Sequence, residues 1–495
     1  MTATRRRRYG YAGLGMILLF GVLLLFRLGI PAKMTSGTER RIAPTASDIS
    51  GGESWMSITQ QSRKIGYARR IHERTGSGFH FSEQIFMRIN TMGIVQPLTV
   101  RTAAELNPDR SLSSFQFDLG SNLFQFTARG VVSGKKLTVR IGGQEDEKIN
   151  IIDIHEPSYL AAGVLESLRA TEFRHGETKT NPIFDPASLG QRPVQVTLLG
   201  DETLMIMGKR RPARKLSVDF MGMKQMAWID PDGGVLREEG ILGIALERVS
   251  REDALAGLEG AVSADLTEIA SIPSSKPIED PATLKRLKVR LSGLSEGSFL
   301  LDGGRQVYRD GILTVQRESL EHSPAPPTDG PDNLAVFLRS TPFIQSDHPK
   351  IRRQLSNIVR PDDSDRMKAE KIVAWVFKNL EKRPVLSVPN ALETLENLVG
   401  DCNEHAVLVT AFARASGIPA DVETGVVYLR GRFLYHAWNI LYLWDRGGWV
   451  TADAALGEMP ADVTHIRFVR GEADRQLDLA GLIGRLKLEI LEMQR

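Results

Sequence analysis

Thiols are nearly missing from this chain. Among its 495 residues there is one cysteine, Cys402. A lone cysteine excludes an internal disulfide framework, and also an iron–sulfur cluster or zinc site built from several thiolates of one chain. Neither charge sign is in excess. The 63 Lys and Arg against 60 Asp and Glu leave +3, too balanced for nucleic acid to be the main partner. No His, Asp and Glu fall at metal-ligand spacing. The paired glycines Gly51-Gly52 and Gly303-Gly304 lack a phosphate-loop pattern, so neither a metal nor a cofactor is expected. There is no internal repeat at solenoid periods. What is present reads as an ordinary globular chain, 42% apolar and 25% charged. At about 150 residues per domain, its length allows about three domains.

One long hydrophobic run exists, at the start. Arg5 to Arg8 precede an uncharged stretch from Tyr9 to Phe26, 18 residues long. At about 1.5 Å per residue it reaches about 27 Å, enough to span a bilayer core. Arg27 can snorkel to the far interface, which extends the span to Ile30. Two readings fit, an uncleaved signal anchor over residues 9–30 or a cleaved secretory signal. No small-x-small cleavage site follows, which favours the anchor. The four arginines then stay in the cytoplasm. The chain is therefore expected to be a single-pass inner-membrane protein with its bulk in the periplasm.

Residues 31–50, rich in Thr, Ser, Gly and Pro, read as a tether. Residues 54–250 read as a β-rich domain. Apolar/polar alternation marks strands at Phe79–Ile89, Phe115–Leu119, Leu123–Thr127, Lys136–Ile141, Val194–Leu198 and Lys224–Asp230. Pro231-Asp232-Gly233-Gly234 is a hairpin turn and Tyr159 to Arg169 a candidate helix. The pattern predicts a large, curved antiparallel sheet. Its alternation resembles the half-barrel sheets of periplasmic lipoprotein-carrier proteins, which would imply lipid or polymer binding, while a β-rich scaffold is the plainer reading. Proline-rich breaks at 271–281 and 322–331 bracket an expected small β-subdomain over 282–320. Beyond Asp347 the period becomes helical. Helices are expected at 365–380, 391–398 and 403–415, followed by strands at 421–429, 433–443 and 448–454. Residues 335–480 thus read as an α+β domain, helices first and antiparallel strands after.

The cysteine lies in that domain. Asp401 and Glu404 stand three apart before an apolar helical run, a capping-box spacing that places Cys402 in the first turn. The unpaired N–H groups there favour a thiolate, so the thiol pKa is expected below its free value of about 8.5. A thiol nucleophile needs such a place, with an imidazole beside it. Of nine histidines, His436 has the best setting. It shares one strand face with Trp438, Ile440 and Tyr442. The following strand puts Trp449, Thr451 and Asp453 on one face. A hairpin centred on Arg446-Gly447 would set Asp453 opposite Ile440, on the right face but four residues from His436. Contact then requires a shifted register or a bulge. Glu404 and His405 are read as structural, Trp438 as core or a wall of the site, and His465 as a satisfied histidine.

Gly400-Asp401-Cys402-Asn403-Glu404-His405-Ala406, His436-Ala437-Trp438-Asn439 and Asp453 resemble the transglutaminase-like superfamily, of papain-like fold. Its bacterial members read G-D-C-x-E-H-A, then H-A-W, then an Asp on the next strand. The resemblance runs from about Asp365 to Gly471, including the segments at Ala391–Leu395 and Pro460–Ile466. It implies Cys402 as nucleophile, His436 as general base and acid, and Asp453 as the group orienting His436. It also implies a protein, peptide or amide substrate, cleaved or transferred through an acyl-enzyme. Two departures concern substrate preference: Ile440 where many relatives carry Glu, and Ala454-Ala455 in place of Pro-Thr. A non-enzymatic envelope binding or scaffold protein that retains this fold is the alternative.

Overall fold

The computed structural model describes residues 52–142, 147–160, 173–220, 223–294, 299–320 and 331–495. The expected span 9–30 lies outside them. Among the described residues no helix is long and apolar enough to cross a membrane. The chain forms two units, divided near residue 266.

The first unit is one fifteen-stranded sheet. Its strands alternate buried and less buried positions, most regularly over Gly78–Thr91, because successive side chains of a strand point to opposite faces. Two antiparallel meanders meet where Gly52–Gln60 pairs with Ile244–Val249. The two edge strands, Lys148–Asp153 and Tyr159–Leu160, are consecutive in the chain. Laid flat, fifteen strands at about 4.8 Å spacing would separate the edges by about 67 Å. The chain between Asp153 and Tyr159 can span only about 20 Å. The sheet must therefore curl upon itself, and Ser158 ties the returning halves together. Its carbonyl accepts from the Leu112 N–H (2.8 Å) and its hydroxyl from Gln191 Nε2 (2.6 Å). Phe115 and Phe184, from the two halves, pack with ring centroids 5.3 Å apart. The candidate helix at 159–169 begins instead as a strand, Tyr159–Leu160, parallel to Thr178–Asp185. The rest of that candidate, from residue 161, lies outside the described residues.

The second unit is α+β. Its central sheet runs Ile272–Pro273, Arg432–Leu443, Ala420–Leu429, Ile466–Arg470, and Gly448–Ala452 also pairs with Arg432–Leu443. Helices Pro349–Ser356, Asp365–Asn379 and Ala391–Asn397 surround helix Cys402–Ala415. That last helix is buried from Cys402 through Arg414, which explains why its apolar residues run all round rather than along one stripe. The segment 282–320 is not a separate subdomain. Its strands Arg286–Ser292, Gln306–Arg309 and Ile312–Gln316 form a sheet completed by the C-terminal strand Lys487–Gln494, which lies beyond the expected domain end at residue 480.

Candidate active site

Helix Cys402–Ala415 begins as its capping box dictates. Asp401 Oδ1 accepts from the Asn403 N–H (3.1 Å), and Glu404 Oε2 accepts from the Asp401 N–H (2.9 Å). Cys402 occupies the first helical position and is 1% exposed. The backbone N–H of Ala437, the residue after His436, favours the thiolate form of the Cys402 sulfur. The Asn403 side-chain amide lies 3.8 Å from the sulfur. The expected drop in the thiol pKa is not found. Burial pushes Cys402 well above its ordinary value, with the Asp401, Glu404 and Asp453 carboxylates adding to it and the Ala437 N–H opposing. One helix end cannot outweigh dehydration and three nearby anions in a closed site.

The His436 strand is fastened to the Cys402 helix by Asn439. Its Nδ2 donates to the Ala406 carbonyl and to Thr410 Oγ1, each at 2.8 Å. Ala406 and Thr410 lie four and eight residues after Cys402, on one helix face. The hairpin after this strand pairs Leu443 with Gly448 and Asn439 with Ala452. Relative to a turn centred on Arg446-Gly447, this register moves the second strand two residues toward His436. Regular pairing ends at Ala452, and Asp453 bridges instead to Glu458 in a tight loop. The shift supplies the contact that simple hairpin arithmetic denied: His436 Nε2 donates to Asp453 Oδ2 at 2.7 Å.

Every hydrogen-bonding direction of the Asp453 carboxylate is occupied. Oδ1 accepts from the N–H groups of Ala455 (2.7 Å) and Leu456 (3.1 Å). Oδ2 accepts from His436 and, at 3.0 Å, from His465 Nε2. Burial penalises this charge, but the two imidazoles hold Asp453 well below the usual carboxylate range. The loop uses the N–H groups of residues 455 and 456 and not that of 454. Ala454, where many relatives carry Pro, therefore leaves this support intact.

Three residues carry more than the sequence reading gave them. His465 is completely buried, on Asp453 by one ring nitrogen and on Asp462 Oδ1 (3.2 Å) by the other. Its only signal in the sequence was membership of a segment that looked like the family's. Trp438 stacks beside His436, meets His465 edge-on, and donates from Nε1 to Glu423 Oε2 (3.0 Å), so it is core and site wall together. Lys382 belongs to a two-residue strand paired with Val399–Gly400, which leads into the Cys402 helix. Its ammonium stands 3.4 Å from the centre of the Phe377 ring, and burial lowers it to about 8 against the pull of Asp453. His405 donates from Nδ1 to the Asp401 carbonyl (2.6 Å), and burial keeps it neutral, near 4.

His436, Asp453 and His465, and also Glu458, Asp462 and His465, present polar atoms within 4.8 Å of one another, a spacing that suits a cation. Four of the pairings within these triples are already direct contacts or loop bonds: His436–Asp453, His465–Asp453, His465–Asp462 and Glu458 Oε2 to the Asp462 N–H. The arrangement sets a thiol at a helix start, an imidazole on the neighbouring strand, and a fully held carboxylate behind the imidazole.

Residues 352–454 match the family model of the transglutaminase-like superfamily. No curated protein matches the chain. Solved structures similar to it include a candidate cysteine protease from Cytophaga hutchinsonii, 18% identical, covering 42% of this chain and 86% of that one, with a TM-score of 0.26. The periplasmic domain of TgpA from Pseudomonas aeruginosa, bound to ethylmercury, is 16% identical over 38% of this chain and 83% of its own, with a TM-score of 0.25. A β-barrel-like protein of a domain of unknown function from Brucella abortus is 10% identical over 41% of this chain and 96% of its own, with a TM-score of 0.31. Residues 352–454 are a transglutaminase-like domain.

Proposed function

We propose that the second unit is a thiol acyl-transfer catalyst, cleaving or transferring acyl groups at amide or peptide bonds. We further propose that residues 9–30 anchor the chain in the inner membrane with both units in the periplasm. The observation that carries the catalytic reading is the buried His436–Asp453 bond of 2.7 Å, with the His436 strand fastened by Asn439 to the helix that Cys402 begins.

Cys402 Sγ attacks the carbonyl carbon and its proton passes to His436. With Nε2 committed to Asp453, Nδ1 is the nitrogen that serves the sulfur. The Cys402 backbone N–H, at the helix start, faces the developing oxyanion. His436 then protonates the leaving amine, and a thioester on Cys402 remains. Water attacking that thioester completes hydrolysis, and an amine completes transamidation, with His436 taking the proton in either case. Hydrolysis is the favoured outcome, because water is abundant. The resting thiol is buried and protonated, so substrate binding must open the mouth of the site and draw the proton onto His436 as the charges form.

The test is a p-nitrophenyl ester presented to the full chain in detergent. A burst of one nitrophenolate per chain and one acyl group on Cys402 by peptide mass spectrometry is expected, with Cys402→Ala and His436→Ala both silent. No burst and no acyl group on Cys402 would instead support the non-enzymatic envelope protein.

A further inference from the structure

The His436–Asp453 pair ends in a second histidine that the proposed reaction does not use. His465 Nε2 lies 3.0 Å from Asp453 Oδ2 and its Nδ1 lies 3.2 Å from Asp462 Oδ1. A neutral imidazole has one N–H and one lone pair. Placed here it would point the lone pair at a carboxylate in a site where His465 is fully buried. Only the doubly protonated ring satisfies both oxygens. We infer that His465 is a buried imidazolium that acts as a positioning residue, fixing the Asp453 carboxylate and sharing its charge with His436. This rests on the reading of Cys402, His436 and Asp453 as the catalytic set.

The surroundings are built for that cation. Asp462 Oδ1 also accepts from the Thr464 N–H (2.7 Å) and hydroxyl (2.6 Å), which aims it at His465. Glu458 Oε2 accepts from the Asp462 N–H (3.0 Å), and burial pushes the Glu458 carboxyl up, so Asp453 and Asp462 are the anions the ring meets. From the neighbouring segment Arg305, itself 3.7 Å from Glu318, donates to the Ala461 carbonyl (2.6 Å) and to that of His465 (2.9 Å) and so fixes the loop. From the strand, His436 stands with its ring centre 5.8 Å away, and Trp438 at 5.2 Å closes the cavity. Burial alone would discharge His465, yet its bonds to Asp453 and Asp462 push it up to about 10.

Two consequences follow for the reaction. With one oxygen held by two backbone N–H groups and the other by two imidazoles, Asp453 cannot rotate away when His436 gains or loses its proton. A positive charge behind Asp453 also weakens that carboxylate's hold on the His436 proton, which eases delivery to the leaving amine.

Histidine-selective 15N labelling of the full-length Cys402→Ala chain tests the charge directly. At pH 8, one histidine should show both ring nitrogens protonated. It is assigned by its loss in His465→Gln, or, if that variant does not fold, by its proximity to the Trp438 indole. A bare ring nitrogen on His465 at pH 8 overturns the proposal, whatever the activity. The pH profile of Cys402 alkylation by iodoacetamide tests the positioning role. In His465→Gln the acid limb of the plateau should move up by at least about half a pH unit, about threefold in proton affinity. A lower rate with unmoved limbs shows a merely structural histidine and overturns the role. A wild-type Cys402 that is inert at every pH refutes the catalytic reading itself, and the spectra still decide the charge of His465.

Discussion

Gly400→Ala is the change that reads the local support of Cys402 most cleanly. A Cβ on Gly400 would lie 2.3 Å from Glu404 Cβ, 2.6 Å from its Cγ and 3.1 Å from its Oε2. Glu404 cannot stay folded back over residue 400, so its 2.9 Å bond to the Asp401 N–H is lost inside a fully buried site. An orphaned buried N–H costs about 1–3 kcal/mol. Overpacking of a tight contact costs about 1–3 kcal/mol more. Together the second unit should lose about 2–6 kcal/mol. Because the chain has one cysteine, and it is buried, pulsed alkylation at increasing urea in a His436→Ala background, where the native thiol is slow, reports the opening of this unit alone. With a slope of about 2–3 kcal/mol per M, the midpoint of Cys402 labelling should fall by about 0.7–3 M urea. An unchanged midpoint would show that the glycine and the capping box do not hold Cys402 in place.

The same labelling should show Asn439→Ala lowering the midpoint, by about 2–3 kcal/mol, because the Ala406 carbonyl and the Thr410 hydroxyl lose a buried donor. In the first unit, Arg70 is buried between Glu83 and Glu238, each at 2.7 Å. Arg70→Ala strands both carboxylates and should destabilise that unit by about 3–5 kcal/mol, followed by circular dichroism of the sheet. Stability should also depend on pH at both ends. The His465 proton is held up to about 10, against about 6.5 unfolded, so its contribution is complete below about 6.5 and is lost as pH rises through 10. His405, held near 4 against about 6.5 unfolded, withdraws stability as pH falls from about 6.5 to 4, and Asp453, held below its unfolded value of about 4, withdraws more only below about 4. Thermal melts across pH 4–10 check this. His465→Gln should flatten the alkaline side and His405→Gln the upper part of the acid side.

Much of this was legible in the sequence. The capping box, the helix it starts, the strand bearing His436 and the shared face of Asp453 rest on local periodicity and local hydrogen bonding, which short segments encode. The hairpin register did not follow, because Trp444 to Gly447 form a four-residue connection rather than a two-residue turn about Arg446-Gly447. The thiol pKa failed for another reason. A helix start is a local feature, whereas the burial that overrides it comes from the whole unit. His465 was missed because its partners, Asp462 three residues before it and Asp453 twelve, meet it only once the loop between Asp453 and His465 folds back. The fate of segment 282–320 depended on its pairing with Lys487–Gln494, a contact across about two hundred residues that alternation cannot reveal.

The central claim is that Cys402 reacts through His436. Its most direct test is the rate of Cys402 alkylation by iodoacetamide against pH, in the wild-type chain and in His436→Ala. The account predicts a reactive plateau around neutral pH that disappears in His436→Ala, leaving only the slow alkaline rise of a buried thiol. Identical profiles in the two proteins, with a single alkaline rise, would contradict it.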